Sequence, residues 1–321
     1  MLKFRTSLLT IFALIFMIAP AMPAHAQSKS KADNDDKEKK VYTGPAVLWR
    51  APDDIESRNL LVGAGGEAMK PDLSRVTFVE VKTGGWSTKY RVKDGKGNEW
   101  VAKLSKEAQP ETAANRLLWA IGYETEIAHL VPELEIQGKG THKNVKLEAR
   151  PNDVKRAGYW LWADNPFVGK PEFQGLKIMM VLINNWDMKD DNNAILAVKG
   201  DTASERRFIV SDLGATFGKT GGFISRSRNK PEDYIKADFV KAVRGNHVDF
   251  SYGGKNGKLF EGITVQDAKW LAGWLGRLSD EQIKDAFRAS NYSADEVNQL
   301  AAAVRSRINA LSNLSANVAT R

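Results

Sequence analysis

The alternation of apolar and polar residues predicts β-strands between residues 76 and 104. Residues 76–81 are rich in β-branched and aromatic side chains, alternation resumes over 88–92, and 99–104 form a returning strand. Between the last two strands, the segment Asp94 to Gly97 contains the Asp-Gly signal of a hairpin turn. We therefore expect an antiparallel three-stranded meander with Lys103 in its third strand.

A helix, two further strands and a helix-rich region follow the meander. Pro110 and Glu111 open an Ala- and Leu-rich helix that Gly122 ends, and 131–137 and 145–150 resemble strands. Beyond Pro151, the pattern predicts a buried helix over 176–183, a strand over 206–210, and helices over 265–275, 279–289 and 293–311. Ser279 is a predicted N-cap, with Glu281 nearby. This order predicts a two-lobed α+β fold, with a β-rich N-lobe over 41–150 and a mostly α-helical C-lobe over 151–321.

The first residues have the pattern of a secretory signal peptide. Lys3 and Arg5 precede an apolar run over 8–19, and Ala24-His25-Ala26 provides a small-x-small cleavage site. The run is shorter than the roughly 20 residues that a spanning helix needs. We expect a signal peptide over 1–26, a disordered polar linker over 27–40, no transmembrane segment, and a soluble protein that is periplasmic or secreted.

Composition then excludes several kinds of chemistry. The chain has no cysteine, which excludes disulfides, iron–sulfur clusters, a cysteine nucleophile and a lipid-modified cysteine. Its four histidines are not spaced as an H-x-x-x-H pair, so a histidine-built zinc site is not expected. The net charge of +8 falls by two when the signal peptide is removed, and cations are mixed with acids along the chain. A solvated basic surface is therefore favoured over a nucleic-acid partner.

Two glycine-rich segments resemble nucleotide-binding motifs without fitting them. The segment starting at Gly63 matches G-x-G-x-x-A, but Pro71 follows too soon for the helix that this motif requires. The segment starting at Gly214 resembles a Walker A loop but has three residues between its glycines instead of four. We interpret both segments as loops.

Five other elements occur in a meaningful order. Asp187 and Asn192 have the D-x-x-x-x-N spacing of a protein-kinase catalytic loop, with Lys189 between them. Asp212-Leu213-Gly214 follows a predicted strand and stands in place of D-F-G. Upstream, Val101-Ala102-Lys103 lies in the third strand, and Glu111 begins the next helix. Each element is weak alone, but the ordered set is moderately specific.

On these motifs the chain resembles the atypical protein-kinase-like superfamily, in particular its HipA-like and lipid-kinase-like members. It also resembles an exported bacterial family of unknown function, whose signatures here are Trp49-Arg50-Ala51-Pro52-Asp53-Asp54, the segment from Pro110 to Tyr123, and Asn185-Trp186-Asp187-Met188-Lys189-Asp190. The first resemblance implies a phosphotransferase that uses Mg²⁺ and ATP or another nucleotide. The second resemblance implies export and supplies no function.

The kinase resemblance also implies a role for each matched residue. Lys103 would hold the nucleotide phosphates, oriented by Glu111, while Asn192 and Asp212 would hold Mg²⁺. Asp187 would accept or orient the acceptor's hydroxyl proton, and Lys189 would neutralise the transferring phosphoryl group. Further phosphate contacts would come from the turn between the first two strands, through Gly84, Gly85, Ser87 and Thr88. Of all these residues, Lys103, Asp187, Asn192 and Asp212 are expected to converge on one pocket.

Alternatives remain open at each of these positions. Asp190 or Asn193 could replace Asp187 or Asn192, Asp212 could cap a turn, and Gly84-Gly85 could be an ordinary hairpin. The usual His-Arg before the catalytic Asp is replaced by Asn185-Trp186, and no A-P-E follows. Because ATP is scarce outside the cytoplasm, a non-catalytic kinase-like binding module and an unrelated exported structural or binding protein are the competing hypotheses. The acceptor and the oligomeric state are left undetermined.

Overall fold

The computed structural model describes residues 41–84 and 87–316. The chain divides into two units, Met1–Glu38 and Lys39–Arg321, and the described residues belong to the second. The predicted signal peptide over 1–26, the linker over 27–40, and Gly85 lie outside the described residues. Among the described residues, no helix is long and apolar enough to cross a membrane.

Groups of strands are separated by single helices along the chain, and the last three helices follow one another. The strands are β1 (Ala46–Val47), β2 (Thr77–Lys82), β3 (Thr88–Lys93), β4 (Glu99–Leu104), β5 (Ala128–Ile136), β6 (Gly140–Ala149), β7 (Val154–Gly158), β8 (Asn193–Val198), β9 (Arg206–Val210), β10 (Val240–Arg244) and β11 (His247–Phe250). The α-helices are α1 (Ala108–Ala120), α2 (Pro171–Leu182), α3 (Pro231–Lys236), α4 (Val265–Leu275), α5 (Asp280–Arg288) and α6 (Ala294–Ser312).

An antiparallel sheet in the order β2-β3-β4-β6-β5 forms the N-terminal part of the fold. It contains the predicted meander as β2, β3 and β4. Strand β4 is central, and its side chains alternate between the two faces of the sheet. Trp100 and Ala102 pack in an apolar cluster with Val92, Val145 and other strand residues. Lys103 therefore lies on the opposite face, where α1 covers the sheet.

Helix α1 is buried along most of its length and begins two residues before the predicted Pro110. Its C-terminus has the Schellman pattern, since Tyr123 N donates to Leu118 O and Gly122 N donates to Trp119 O. Gly122 has φ +97°, and a Cβ atom there would lie 2.1 Å from Arg50 O. Gly122 thus ends the helix both by its left-handed conformation and by its close approach to the chain segment around Arg50.

A second sheet has the order β1-β9-β8-β7, and all its strands precede helices α3 to α6 in the sequence. Strand β1 is parallel to β9, and the other pairs are antiparallel. The sequence pattern predicts β9 at its observed bounds, but it misses β7, β8 and the β10–β11 hairpin. The C-terminal part therefore contains more strand than the pattern indicates.

The C-terminal helices agree closely with the pattern. Helix α4 has the predicted bounds, and Ser279 and Ser293 are the N-caps of α5 and α6. Gln282, not Glu281, completes the capping box of Ser279. Apolar faces of α1, α2, α4, α5 and α6 share one large core. The predicted α+β fold, with a β-rich N-terminal region and a helical C-terminal region, is confirmed.

Candidate active site

Lys103 joins three parts of the chain at one ammonium group. Its Nζ lies 2.7 Å from Glu111 Oε2 on α1, 2.9 Å from Glu107 Oε2 just before α1, and 3.4 Å from Asp212 Oδ1 after β9. The Lys103 side chain is 5% exposed, so it is not a solvated charge at a sheet edge. Burial lowers the pKa of Lys103, but Glu111 and Asp212 more than offset this and raise it above its ordinary value.

A second lysine binds the other oxygen of Glu111. Lys146 on β6 is the direct cross-strand neighbour of Lys103 on β4, and its Nζ lies 2.5 Å from Glu111 Oε1. Two like charges in this position would repel one another, and the buried carboxylate between them removes the repulsion. Glu111 is 2% exposed, so its role extends beyond the helix dipole at the first turn of α1.

Behind Glu111, the ionic contacts continue towards Asp212. Lys146 also lies 3.1 Å from Glu148 Oε2, and Glu148 binds Arg156 of β7 at 3.0 Å. Arg156 donates to Ser211 Oγ at 3.0 Å, directly before Asp212. Glu126 also binds Arg156 and Ser211, and burial and Glu148 raise the pKa of Glu126 to about 7. This buried network connects the sheet that holds Lys103 to the strand that precedes Asp212.

Asp212 caps a turn, as the sequence allowed, and its carboxylate also reaches Lys103. Its Oδ1 accepts the Gly214 N–H at 3.1 Å, which is an Asx turn, and also lies 3.4 Å from Lys103. Burial raises the pKa of Asp212, but Lys103 and the Gly214 N–H lower it below its ordinary value. The carboxylate is therefore ionised at neutral pH, as a ligand for a hard cation must be.

The loop after α2 brings Asp187 and Asn192 together. Asn192 Nδ2 donates to the backbone oxygen of Asp187 at 2.6 Å and to its Oδ2 at 3.3 Å. The backbone oxygen of Asn192 accepts the Asp212 N–H at 3.0 Å. Contacts thus run without interruption from Lys103 through Asp212 and Asn192 to Asp187, the four residues expected to converge.

The alternative residues in this loop have other partners. Asp190 Oδ1 accepts the backbone N–H of Trp162 at 2.8 Å, and Asn193 Nδ2 donates to the backbone oxygen of Trp160 at 3.0 Å. Both side chains hold the preceding segment in place. Asp187 and Asn192 are therefore the pair that contact each other, which favours them for the predicted roles.

Two lysines surround the carboxylate of Asp187. Lys255 Nζ lies 2.7 Å from Oδ1 and Lys189 Nζ lies 3.1 Å from Oδ2. Burial raises the pKa of Asp187, but Lys255 and Lys189 lower it below its ordinary value. A carboxylate with a lowered pKa is a weak base, so Asp187 is better suited to orient a hydroxyl group than to remove its proton.

The turn between β2 and β3 is only partly described. Gly84 has φ +113°, with no atom within 4 Å of the position that a Cβ would occupy. Ser87 Oγ donates to Glu107 Oε2 at 3.0 Å, and Glu107 also binds Arg228 from the loop after Asp212. Thr88 is the first residue of β3. The Ser87 hydroxyl is thus held against Glu107, one of the carboxylates that contact Lys103.

Sequence reasoning missed Lys146, Glu107, Lys255 and Arg228. One signal was visible for Lys146, because charged residues alternate with apolar ones in the strand-like run Val145-Lys146-Leu147-Glu148. Glu107 lies only four residues after Lys103, a local spacing that could have been noticed. Lys255 and Arg228 come from segments far away in sequence, which periodicity does not report.

The donor set of this site fits Mg²⁺ only together with a nucleotide. Within the described residues, no group of three or more His, Cys, Asp or Glu side chains could hold a metal ion. Mg²⁺ is commonly held by one or two carboxylates, substrate phosphates and water instead of an all-protein cage. The Asp212 carboxylate and the Asn192 amide oxygen are oxygen donors of this kind.

The solved structures that are similar to this chain include those of two kinases. No family model matches the chain, and no curated protein matches it. The Helicobacter pylori proinflammatory kinase CtkA is 13% identical, with a TM-score of 0.48 over 74% of this chain and 95% of that one. The Rio2 kinase–ADP/Mg²⁺–phosphoaspartate complex from Chaetomium thermophilum is 14% identical, with a TM-score of 0.33 over 76% of this chain and 74% of that one. Both are kinases; both TM-scores are below 0.5, so the proposed function rests on the contacts within this chain.

Proposed function

We propose that this protein is an exported kinase-like phosphotransferase that uses Mg²⁺ and ATP, or another nucleotide, and transfers a phosphoryl group to an acceptor hydroxyl. The observation that carries the proposal is the contact of Lys103 Nζ with Glu111 and Asp212, from a strand, a helix and a distant loop. Phosphoryl transfer depends mainly on positioning and on positive charge near the phosphate oxygens. A lysine held rigidly between carboxylates meets this requirement.

The residues around Lys103 divide the work of binding Mg-nucleotide. Asp212 and Asn192 would hold Mg²⁺, and a bound Mg²⁺ would neutralise part of the charge on the phosphate oxygens. Lys103 would bind phosphate oxygens while Glu111 keeps its side chain in place. Because the ionised Asp212 carboxylate would lie beside the nucleotide phosphates, it would repel them unless a cation is bound between them. We therefore expect nucleotide binding to depend strongly on Mg²⁺.

Asp187 and Lys189 would act on the acceptor side. The lowered pKa of Asp187 supports a role in orienting the acceptor hydroxyl through a hydrogen bond. Lys189 is 37% exposed and contacts Asp187, so its ammonium group is free to approach a transferring phosphoryl group. This division assigns binding to Lys103 and Asp212 and turnover to Asp187.

Mg²⁺-dependent nucleotide binding tests the first half of the proposal. Titration calorimetry of the purified protein with ATP, with and without Mg²⁺, should show binding only with the cation. Asp212→Asn removes one charge at constant shape and should weaken binding by at least about tenfold. Asp249→Asn is the matched control, because Asp249 pairs with Arg244 on the exposed β10–β11 hairpin. Equal affinity of Asp212→Asn and Asp249→Asn would contradict the proposal.

Turnover tests the second half. Asp187→Asn should bind Mg-ATP as the wild type does but lose phosphoryl transfer, measured with radiolabelled ATP against protein, small-molecule and water acceptors. Binding without transfer in the wild-type protein would instead support a kinase-like binding module. Export is tested separately: a protein recovered from the periplasm or medium should begin at Gln27, and an intact N-terminus would contradict cleavage.

A further inference from the structure

Four cations lie at the Trp186 ring and at the carboxylate of the adjacent Asp187, and three of them have no role in the proposed binding of nucleotide. These cations are Lys189, Lys255, Arg226 and Arg228. The two lysines contact the Asp187 carboxylate, while the guanidinium carbons of Arg226 and Arg228 lie 4.1 and 4.8 Å from the Trp186 ring centroid. We call these four residues and Trp186 the Trp186 cluster.

Arg226 is the cation of this cluster that lacks a partner of opposite charge. Arg228 binds Glu107, and both lysines bind Asp187. Across residues 41–84 and 87–316, no carboxylate lies within ion-pair distance of Arg226. Its guanidinium instead contacts the rings of Trp186 and Phe223, at 4.1 and 5.1 Å. These ring contacts hold the guanidinium group in place and use none of its N–H donors, which are therefore available for an oxyanion.

The backbone around Arg226 is held in place before any ligand binds. Ser227 N donates to Lys219 O at 3.0 Å, and Lys219 N donates to Ser227 Oγ at 2.9 Å, which closes the loop between them. Trp186 Nε1 then donates to Ser227 O at 2.8 Å. A loop fixed in this way loses little conformational entropy when its arginine binds a ligand.

Lys255 is held against the same tryptophan. Its backbone N–H donates to Trp186 O at 2.9 Å. At the preceding Gly254, a Cβ atom would lie 2.7 Å from Trp186 Cα and 2.4 Å from the Tyr252 hydroxyl. Only glycine allows this close approach, which places the Lys255 ammonium group 2.7 Å from Asp187.

The two parts of the candidate site differ in their charge balance. Around Lys103, the carboxylates Glu107, Glu111 and Asp212 are matched by the cations Lys103, Lys146 and Arg228. The other three cations of the Trp186 cluster, Lys189, Lys255 and Arg226, have one carboxylate partner among the described residues, Asp187, and this excess of positive charge would attract a free oxyanion without a metal. This excess of positive charge lies beside the carboxylate assigned to the acceptor hydroxyl.

We infer that the Trp186 cluster binds an oxyanion group of the acceptor, a phosphate or a carboxylate, so that the acceptor is an anionic molecule. That the bound molecule is the phosphoryl acceptor rests on the proposed function, whereas the oxyanion site itself rests on the contacts described above. Arg226 binds the oxyanion through its edge donors, and Lys255 and Lys189 add charge at the side of Asp187.

Binding of inorganic phosphate without nucleotide or Mg²⁺ tests the site, with acetate as the carboxylate probe. Titrations followed by ³¹P line broadening should show phosphate binding to the wild-type protein, and competition by acetate should show whether a carboxylate is also accepted. Arg226→Gln should raise the phosphate Kd by at least about tenfold, the loss expected for a charged hydrogen-bond pair. Arg244→Gln is the matched control, an exposed arginine on β10, and should leave the Kd unchanged.

Lys103→Met separates this inference from the proposed function. It should abolish Mg-ATP binding but leave the phosphate Kd within about twofold of the wild-type value. Equal phosphate affinity of Arg226→Gln and Arg244→Gln would overturn the inference, as would loss of phosphate binding only in Lys103→Met. If phosphate binds through Arg226 while Mg-ATP does not bind at all, the oxyanion site stands and the proposed function fails.

Discussion

Replacing Lys146 by methionine should destabilise the fold more than any other single lysine substitution in the N-terminal sheet. Lys146 is fully buried, and its Nζ lies 2.5 Å from Glu111, 3.1 Å from Glu148 and 3.7 Å from Glu126. Methionine fills a similar volume, so the change removes the charge and leaves little cavity. Three buried carboxylates then lose a shared cation.

The expected cost follows from the burial of these carboxylates. Removing one partner of a buried ion pair costs about 3–5 kcal/mol, because the remaining charge stays desolvated. With a urea m-value of about 3 kcal/mol/M, the unfolding midpoint should fall by about 1 M or more. The free energy of unfolding is measured from circular dichroism in urea for Lys146→Met and for Lys143→Met. Lys143 lies on the same strand but is exposed, so its substitution should change stability by about 0.5 kcal/mol or less.

The pH dependence of the difference identifies its cause. Lys146 lowers the pKa values of Glu148 and Glu126, so without it these two pKa values rise in the folded state and protonation relieves the destabilisation. Stability linked to a raised carboxyl pKa is present at low pH and is lost as pH rises through the folded pKa. The deficit of Lys146→Met should therefore be smaller at pH 5 than at pH 8. A deficit equal to that of Lys143→Met, or one independent of pH, would refute the electrostatic reasoning.

Three further predictions concern groups whose environment is equally defined. Burial and Glu148 raise the pKa of Glu126 to about 7, so its contribution to stability is present below about pH 4.5 and is lost as the pH rises to 7. Glu126→Gln should therefore make the urea unfolding midpoint less dependent on pH over this range. An unchanged slope of midpoint against pH would contradict this assignment. Gly122→Ala should lower the melting temperature more than Gly138→Ala. Both glycines have a positive φ, but only at Gly122 would a Cβ atom lie 2.1 Å from a backbone oxygen. Equal decreases in melting temperature would show that the contact with Arg50 relaxes at no cost. Thr264→Ala removes the N-cap of α4 and should cost about 1 kcal/mol in urea unfolding, whereas no loss would mean that Asp267 alone supports the helix start.

The prediction that a lysine, a helix-borne glutamate and a D-L-G aspartate meet came from the chain order of local motifs. Periodicity locates the strand that holds Lys103 and the helix that holds Glu111, since both elements are long and strongly patterned. The bounds of β9 and α4 were also predicted. Strands β7 and β8 and the β10–β11 hairpin were missed, because a single sequence does not show the neighbouring strands that pair with them.

The roles within the Asp187 loop needed the tertiary structure. The sequence offered Asp187 or Asp190 and Asn192 or Asn193 at nearly equivalent positions. Hydrogen bonds of Asp190 to Trp162 and of Asn193 to Trp160 occupy two of the four side chains. These partners lie about 30 residues earlier in the chain, so local spacing could not distinguish the alternatives.

The sequence by itself determined the α+β fold class, the meander with Lys103, the helix with Glu111 and the residue types on which the proposed Mg²⁺–phosphate site depends. Only the tertiary structure decided that Lys146 supports Glu111 and that Arg226 meets Trp186. Lys146 reaches Glu111 because the register of β6 against β4 places it opposite Lys103. Register and loop closure are set by contacts across tens of residues, whereas periodicity reports only which face of its own element a residue occupies.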